Sequence, residues 1–230
     1  MKTIGLIGGM SWESTQIYYR LINEAVREKL GGLHSARLLL NSIDFADIEP
    51  LQRSGQWQRA GELLVDAAEA LVAGGADFLV LCTNTMHKVA PAIEAAVPVP
   101  LLHIADATAA AIKQAGIRRV GLLGTAFTME QDFYRKRLLE QHGIAVDIPG
   151  EIDRALVHRV IFEELCRGTV TEVSRREFGG IVSRLQRAGA EAVVLGCTEI
   201  GLLLRPENVP IPLFDTAEIH ARAAVNLALK

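Results

Sequence analysis

Short runs of Ile, Val and Leu alternate along the chain with longer amphipathic, Ala-rich stretches. The short runs are Thr3–Ile7, Ala36–Asn41, Phe78–Leu81, Val99–Leu102, Val120–Leu123, Ala145–Asp147, Ala192–Leu195 and Ile211–Phe214. They are apolar at successive positions, the pattern of strands covered on both faces. Between most of them the apolar positions follow a helical period, as in Trp57–Ala73, Ala105–Ala115, Met129–His142, Ile152–Arg167 and Thr171–Ala188. Gly74-Gly75, Gly116, Gly143 and Gly189 follow helical runs, where glycine commonly ends a helix. Alternation of this kind predicts an α/β fold of parallel, doubly wound sheets.

The pattern also repeats. Ile4-Gly5-Leu6-Ile7-Gly8 matches Val120-Gly121-Leu122-Leu123-Gly124, and each copy precedes a polar turn and a helix with Tyr-Arg, Tyr19-Arg20 and Tyr134-Arg135. Phe78-Leu79-Val80-Leu81-Cys82-Thr83-Asn84-Thr85 matches Ala192-Val193-Val194-Leu195-Gly196-Cys197-Thr198-Glu199. Pro100-Leu101-Leu102-His103 matches Pro212-Leu213-Phe214-Asp215. Three matches in one order, at nearly constant separation, predict two similar domains related by pseudo-twofold symmetry. The first is residues 1–99 plus 214–230, and the second is residues 100–213. No Pro/Ser-rich linker separates them.

Composition narrows the classes. Half of the 230 residues are apolar, enough for a substantial core, and the net charge is −3. No basic stripe interleaved with aromatics points to nucleic acid. No apolar run approaches the roughly 20 residues of a bilayer-spanning helix. The apolar start is broken by Gly5, Gly8 and Gly9, so it reads as strand and loop, not as a signal peptide. Three cysteines, at 82, 166 and 197, form no disulfide framework and fit a reducing cytoplasm. No CxxC, HExxH or paired-His spacing suggests a metal.

In open parallel sheets, ligands bind beyond the carboxyl ends of strands. Four polar turns are expected there: Gly8-Gly9-Met10-Ser11, Cys82-Thr83-Asn84-Thr85, Gly124-Thr125 and Gly196-Cys197-Thr198-Glu199. If each opens a helix, free N–H groups and a positive dipole end suit a carboxylate ligand. Asn84, Thr85 and Thr198 add short donors. GLIGGM lacks the GxGxxG spacing and no GK[ST] follows, so neither nucleotide fingerprint is present. Cys197, at a strand end before an expected helix start, is placed where a thiol pKa falls. Its repeat partner is Thr83, a second group with a transferable proton. Two such groups match racemisation at Cα, which needs a base on one face and an acid on the other. N–H donors on the carboxylate would stabilise the carbanion. His87 can orient a substrate or serve a local hydrogen-bond network. Cys166 reads as helix packing, and Trp12 and Trp57 as packing or wall residues.

Gly8-Gly9-Met10, Thr83-Asn84-Thr85-Met86-His87, His103-Ile104-Ala105-Asp106-Ala107-Thr108, Gly196-Cys197-Thr198-Glu199 and Asp215-Thr216 together resemble the aspartate/glutamate racemase family, over essentially the whole chain. The resemblance implies a two-domain α/β enzyme, usually a homodimer, with its site in the cleft. It implies no cofactor: no pyridoxal phosphate, metal or nucleotide. It implies Thr83 and Cys197 as catalytic residues and Met10, Gln52, Asn84, Thr85, Thr125, Thr198 and Glu199 as substrate-binding residues. The family pattern has a cysteine where this chain has Thr83. Cys82 lies one residue early, and one step along a strand reverses the face. An unactivated hydroxyl does not titrate near pH 7 whereas a thiol can be tuned there, so unequal rates for the two enantiomers are expected. Aspartate-specific relatives use basic groups for the distal carboxylate; here Gln52, with Arg53 as an alternative, and Cys166 stand in the corresponding segments. That favours broad amino-acid specificity, with an aspartate/glutamate-specific racemase as the alternative. A related Cys-dependent isomerase or decarboxylase, and a two-lobed binding module without turnover, are the remaining readings.

Overall fold

The computed structural model describes all residues, Met1–Lys230. The chain forms two compact units, Met1–Ile104 with His220–Lys230, and Ala105–Ile219. The crossings therefore fall a little further along the chain than residues 99 and 213.

The first unit runs β1 (Ile4–Gly8), α1 (Trp12–Leu30), β2 (Leu38–Ser42), α2 (Phe45–Arg53), α3 (Trp57–Ala73), β3 (Phe78–Leu81), a 3₁₀ turn Thr85–Val89, α4 (Ala90–Ala96) and β4 (Leu101–Leu102). Its four strands are parallel, in the order β2-β1-β3-β4. α3 buries Ala60, Leu64, Ala67, Ala68 and Leu71, a stripe of helical period. That stripe joins a core with Ile7, Leu79, Leu81 and Ile93.

The second unit holds α5 (Ile104–Gln114) from Ala105 onward, then β5 (Arg119–Gly124), α6 (Ala126–Glu130), α7 (Asp132–Lys136) and a π turn Arg137–Gln141. It continues with β6 (Ala145–Asp147), α8 (Glu151–Glu163), a 3₁₀ turn Leu165–Arg167, α9 (Glu172–Arg187), β7 (Ala192–Gly196), α10 (Ile200–Leu203), a 3₁₀ turn Pro206–Asn208 and β8 (Leu213–Asp215). Its sheet is also parallel, in the order β6-β5-β7-β8. α11 (Thr216–Ala228) carries the chain back, and from His220 it belongs to the first unit.

The two sheets share one topology, and the repeat extends to register. Ile4 pairs with Phe78 and Ile7 with Leu81 in one sheet; Val120 pairs with Ala192 and Leu123 with Leu195 in the other. The glycines inside the central strands are packing requirements. A Cβ on Gly5 would come within 2.8 Å of Ala76 and Leu79, and one on Gly121 within 2.8 Å of Leu185. The matched tyrosines are Tyr18 and Tyr134, both fully buried, whereas Tyr19 is exposed.

Some boundaries differ from the periodic pattern for local reasons. β4 and β8 are shorter than their apolar runs because Pro100 and Pro212 have no N–H to donate; they contribute carbonyls only, to Leu79 and Val193. The stretch Met129–His142 is not one helix. Gln131 is extended and is at once the C-cap of α6 and the N-cap of α7. Ile152–Arg167 breaks at Glu164, and its closing turn ends at left-handed Gly168. No helix is long and apolar enough to cross a membrane.

Candidate active site

In the first unit, the turns after β1 and β3 are tied together by hydroxyl groups. Ser11 caps α1, accepting from the Ser14 N–H at 3.2 Å, and Ser14 Oγ donates to the Cys82 carbonyl at 2.8 Å. Thr15 Oγ1 accepts from the Gly9 N–H at 2.8 Å and donates to the Ser11 carbonyl at 3.0 Å. Gly9 has φ +90, and a Cβ there would collide with the Ile43 carbonyl oxygen. Met10, Gln52, Thr83, Asn84 and Thr85 are all buried in this unit. Gln52 is held by Met86, its Nε2 donating to Sδ at 3.0 Å. No side chain of the protein hydrogen-bonds the Thr83 hydroxyl. Cys82 is fully enclosed and burial pushes its thiol far up, which disfavours the reactive thiolate.

His87 lies below this turn. A carbonyl can only accept, so His87 Nδ1 donates to the Thr83 carbonyl at 2.7 Å, and Nε2 accepts from the Ile104 N–H at 3.2 Å. The imidazole is therefore the neutral Nδ1–H tautomer. His220 is fixed in the opposite tautomer: Nε2 donates to the Leu102 carbonyl and Nδ1 accepts from Tyr18 Oη, each at 2.8 Å. Burial holds His220 down at about 4. The ring of His87 packs on His103 at 4.5 Å and on His220 at 5.9 Å. Sequence reasoning left His87 open and did not find His103, Tyr18 and His220 as a cluster; nothing local links Tyr18 to His220.

In the second unit, Thr125, Cys197, Thr198 and Glu199 are buried at the ends of β5 and β7. Thr125 caps α6, its Oγ1 accepting from the Thr128 N–H at 3.3 Å. Glu199 is the centre of the β7 turn. Cys197 Sγ donates to its Oε2 at 3.0 Å, Thr198 Oγ1 to the same oxygen at 2.6 Å, and Cys166 Sγ reaches Oε1 at 3.8 Å. Cys166, read from sequence as packing, thus touches this turn from the 3₁₀ segment after α8.

Two expectations are corrected here. Only α1, of the helices after the four turns, is long; β3 is followed by a 3₁₀ turn, α6 has 5 residues and α10 has 4. The dipole available at those ends is correspondingly small. The Cys197 thiol is not lowered but raised well above its ordinary value, first by burial, then by the Glu199 carboxylate and, less, by Cys166. The free turn holds a protonated thiol beside a carboxylate. At the end of β8, Asp215 Oδ1 accepts from the Ala217 and Glu218 N–H groups at 2.9 and 3.1 Å. Its other oxygen occupies the space a Cβ on Gly201 would need.

The family model for Asp/Glu/Hydantoin racemase matches residues 7–224. The chain belongs to that family. It is 55% identical to a Yersinia pestis protein assigned provisionally as an Asp/Glu racemase, with all of both chains covered and a TM-score of 0.94. It is 37% identical to an aspartate racemase homologue from Pyrococcus horikoshii OT3, again with all of both chains covered, at a TM-score of 0.88. A more distant relative, the broad specificity amino-acid racemase of Bacillus subtilis, is 23% identical over 173 residues, 72% of this chain and 71% of that protein. The racemase-family chain is an isomerase, with the α/β architecture of two four-stranded parallel sheets.

Proposed function

We propose that the protein racemises an amino acid at Cα without a cofactor, with Cys197 and Thr83 serving opposite faces of the substrate. The observation that carries this reading is the buried Cys197–Glu199 contact at 3.0 Å. A carbon acid needs a strong base, and a thiol that can pass its proton to an adjacent carboxylate supplies one when substrate arrives. In this reading the Cys197 S–H proton moves to Glu199 Oε2, and the thiolate takes the Cα proton. The carbanion's charge spreads onto the substrate carboxylate, which the turn N–H groups and the side chains of Asn84 and Thr85 stabilise, while Thr198 keeps its one O–H on Glu199 and offers substrate only its main chain. Thr83 delivers its hydroxyl proton to the other face for inversion, and solvent then returns a proton to the resulting alkoxide and takes the one held by Glu199, which resets the site. Met10, Gln52 and Thr125 line the substrate site.

For the substrate side chain, whole-chain likeness to the Yersinia and Pyrococcus proteins supports an acidic amino acid, aspartate or glutamate. Broad specificity is the second reading. It is favoured by Gln52 and Cys166, which are uncharged in the segments where aspartate-specific relatives carry basic groups. The test is NMR of the Cα–H signal in D₂O with a panel of L- and D-amino acids. Exchange with inversion, confined to aspartate and glutamate, is the expected result. Inversion across neutral amino acids would select the second reading, and binding without exchange would refute racemisation. Cys197→Ala should lower exchange by about 10³-fold or more, the scale of losing a covalent or acid–base group.

A further inference from the structure

The two proposed proton carriers are supported differently. Cys197 has a carboxylate against its sulfur, and the Thr83 hydroxyl has no such partner. Thr83 has instead an imidazole on its main chain. His87 is buried, four residues after Thr83, and donates to the Thr83 carbonyl at 2.7 Å. Its other nitrogen accepts from the Ile104 N–H at 3.2 Å, at the point where the chain leaves the first unit. With both nitrogens engaged to main-chain groups, the ring has no position from which to exchange a proton with substrate. The rings of His103 and His220 pack against it, at 4.5 and 5.9 Å, and His220 is itself fixed by Tyr18 and the Leu102 carbonyl. The matching position in the second unit is Gly201, which carries no side chain, so the device exists only under Thr83.

We propose that His87 is the positioning residue of Thr83, holding the turn by its carbonyl so that the hydroxyl meets the substrate carbanion in line for reprotonation. This rests on the reading that Thr83 protonates one face. A hydroxyl without a neighbouring base depends on geometry alone, and misplacement by about 1 Å can cost 10²-fold.

The experiment follows the fate of the carbanion in D₂O. Starting from the enantiomer that Cys197 deprotonates, exchange with retention reports return of a deuteron from Cys197, and inversion reports delivery by Thr83. His87→Asn keeps a donor near the Nδ1 position. His87→Gln keeps a polar group near the Nε2 position but loses the bond to the Thr83 carbonyl. The expected result is that His87→Gln and His87→Ala lower the ratio of inversion to exchange about tenfold, with total exchange within about twofold of wild type, while His87→Asn retains most of the inversion. Equal ratios for His87→Asn and His87→Gln at matched urea midpoints, or inversion and exchange falling together in every variant, would overturn the positioning role. Thr83→Ala is the control on the underlying reading. If it leaves inversion intact, Thr83 is not the proton carrier, and both readings fall with a signature distinct from that of the His87 variants.

Discussion

At the scale of single residues, Glu199 separates two effects that usually move together. Its charge raises the Cys197 thiol, and its oxygen is the proton acceptor for that thiol. Glu199→Gln removes both. The thiol should then titrate at lower pH, read from the pH dependence of Cys197 alkylation mapped by mass spectrometry. Substrate Cα–H exchange should nevertheless fall by about 10²-fold, the usual contribution of a positioned base. A lower thiol pKa with faster exchange would show that the carboxylate only hinders. The sequence placed Glu199 in the right turn through the repeat and the family motif. It did not indicate which atom the carboxylate meets, because a turn fixes side-chain direction only once its dihedral angles and burial are known. The same limit explains the reversed expectation for Cys197: strand-end position was legible, whereas a short α10 and a facing carboxylate were not.

At the scale of elements, the β1 turn and helix α3 make different demands. Gly9 combines φ +90 with direct approach to the Ile43 carbonyl, so Gly9→Ala has both a backbone and a steric penalty. A loss of several kcal/mol is expected in urea unfolding, against about 1–2 kcal/mol for Gly32→Ala, where positive φ strains the backbone but the space is open. Equal losses would mean that strain, not contact, dominates at Gly9. In α3, Leu64 is fully buried, so Leu64→Ala should cost about 2–5 kcal/mol by the same measurement. α3 was legible to its ends, since its period and the Gly74 stop are local. The segment Met129–His142 was not: its apolar pattern continues through Gln131, while the backbone turns there to serve two caps.

At the scale of the molecule, α11 returns to the first unit and buries His220 against Tyr18. Because burial holds the folded imidazole at about 4 against an ordinary 6.5, the unfolded chain binds the extra proton between those values. The contribution is therefore full above pH 6.5 and is lost as pH falls toward 4, by about 3 kcal/mol over the window. Urea midpoints at pH 7 and pH 4.5 should show this slope in wild type and a shallower one in His220→Gln. Identical slopes would place the titration elsewhere.

What the sequence alone determined is whatever burial writes locally: strand and helix periods, glycine stops, the repeat, and the strand-end turns that carry Thr83 and Cys197. The repeat implied two units of similar topology, and the two sheets do share one strand order and a matching register. Tertiary structure decided the partners. Tyr18 with His220, His87 with Ile104 and Cys166 with Glu199 meet across long stretches of chain, and no period records them. It also decided the protonation of Cys197 and His220, because a pKa responds to distance and to the loss of water around a group, and neither is a property of the order of residues.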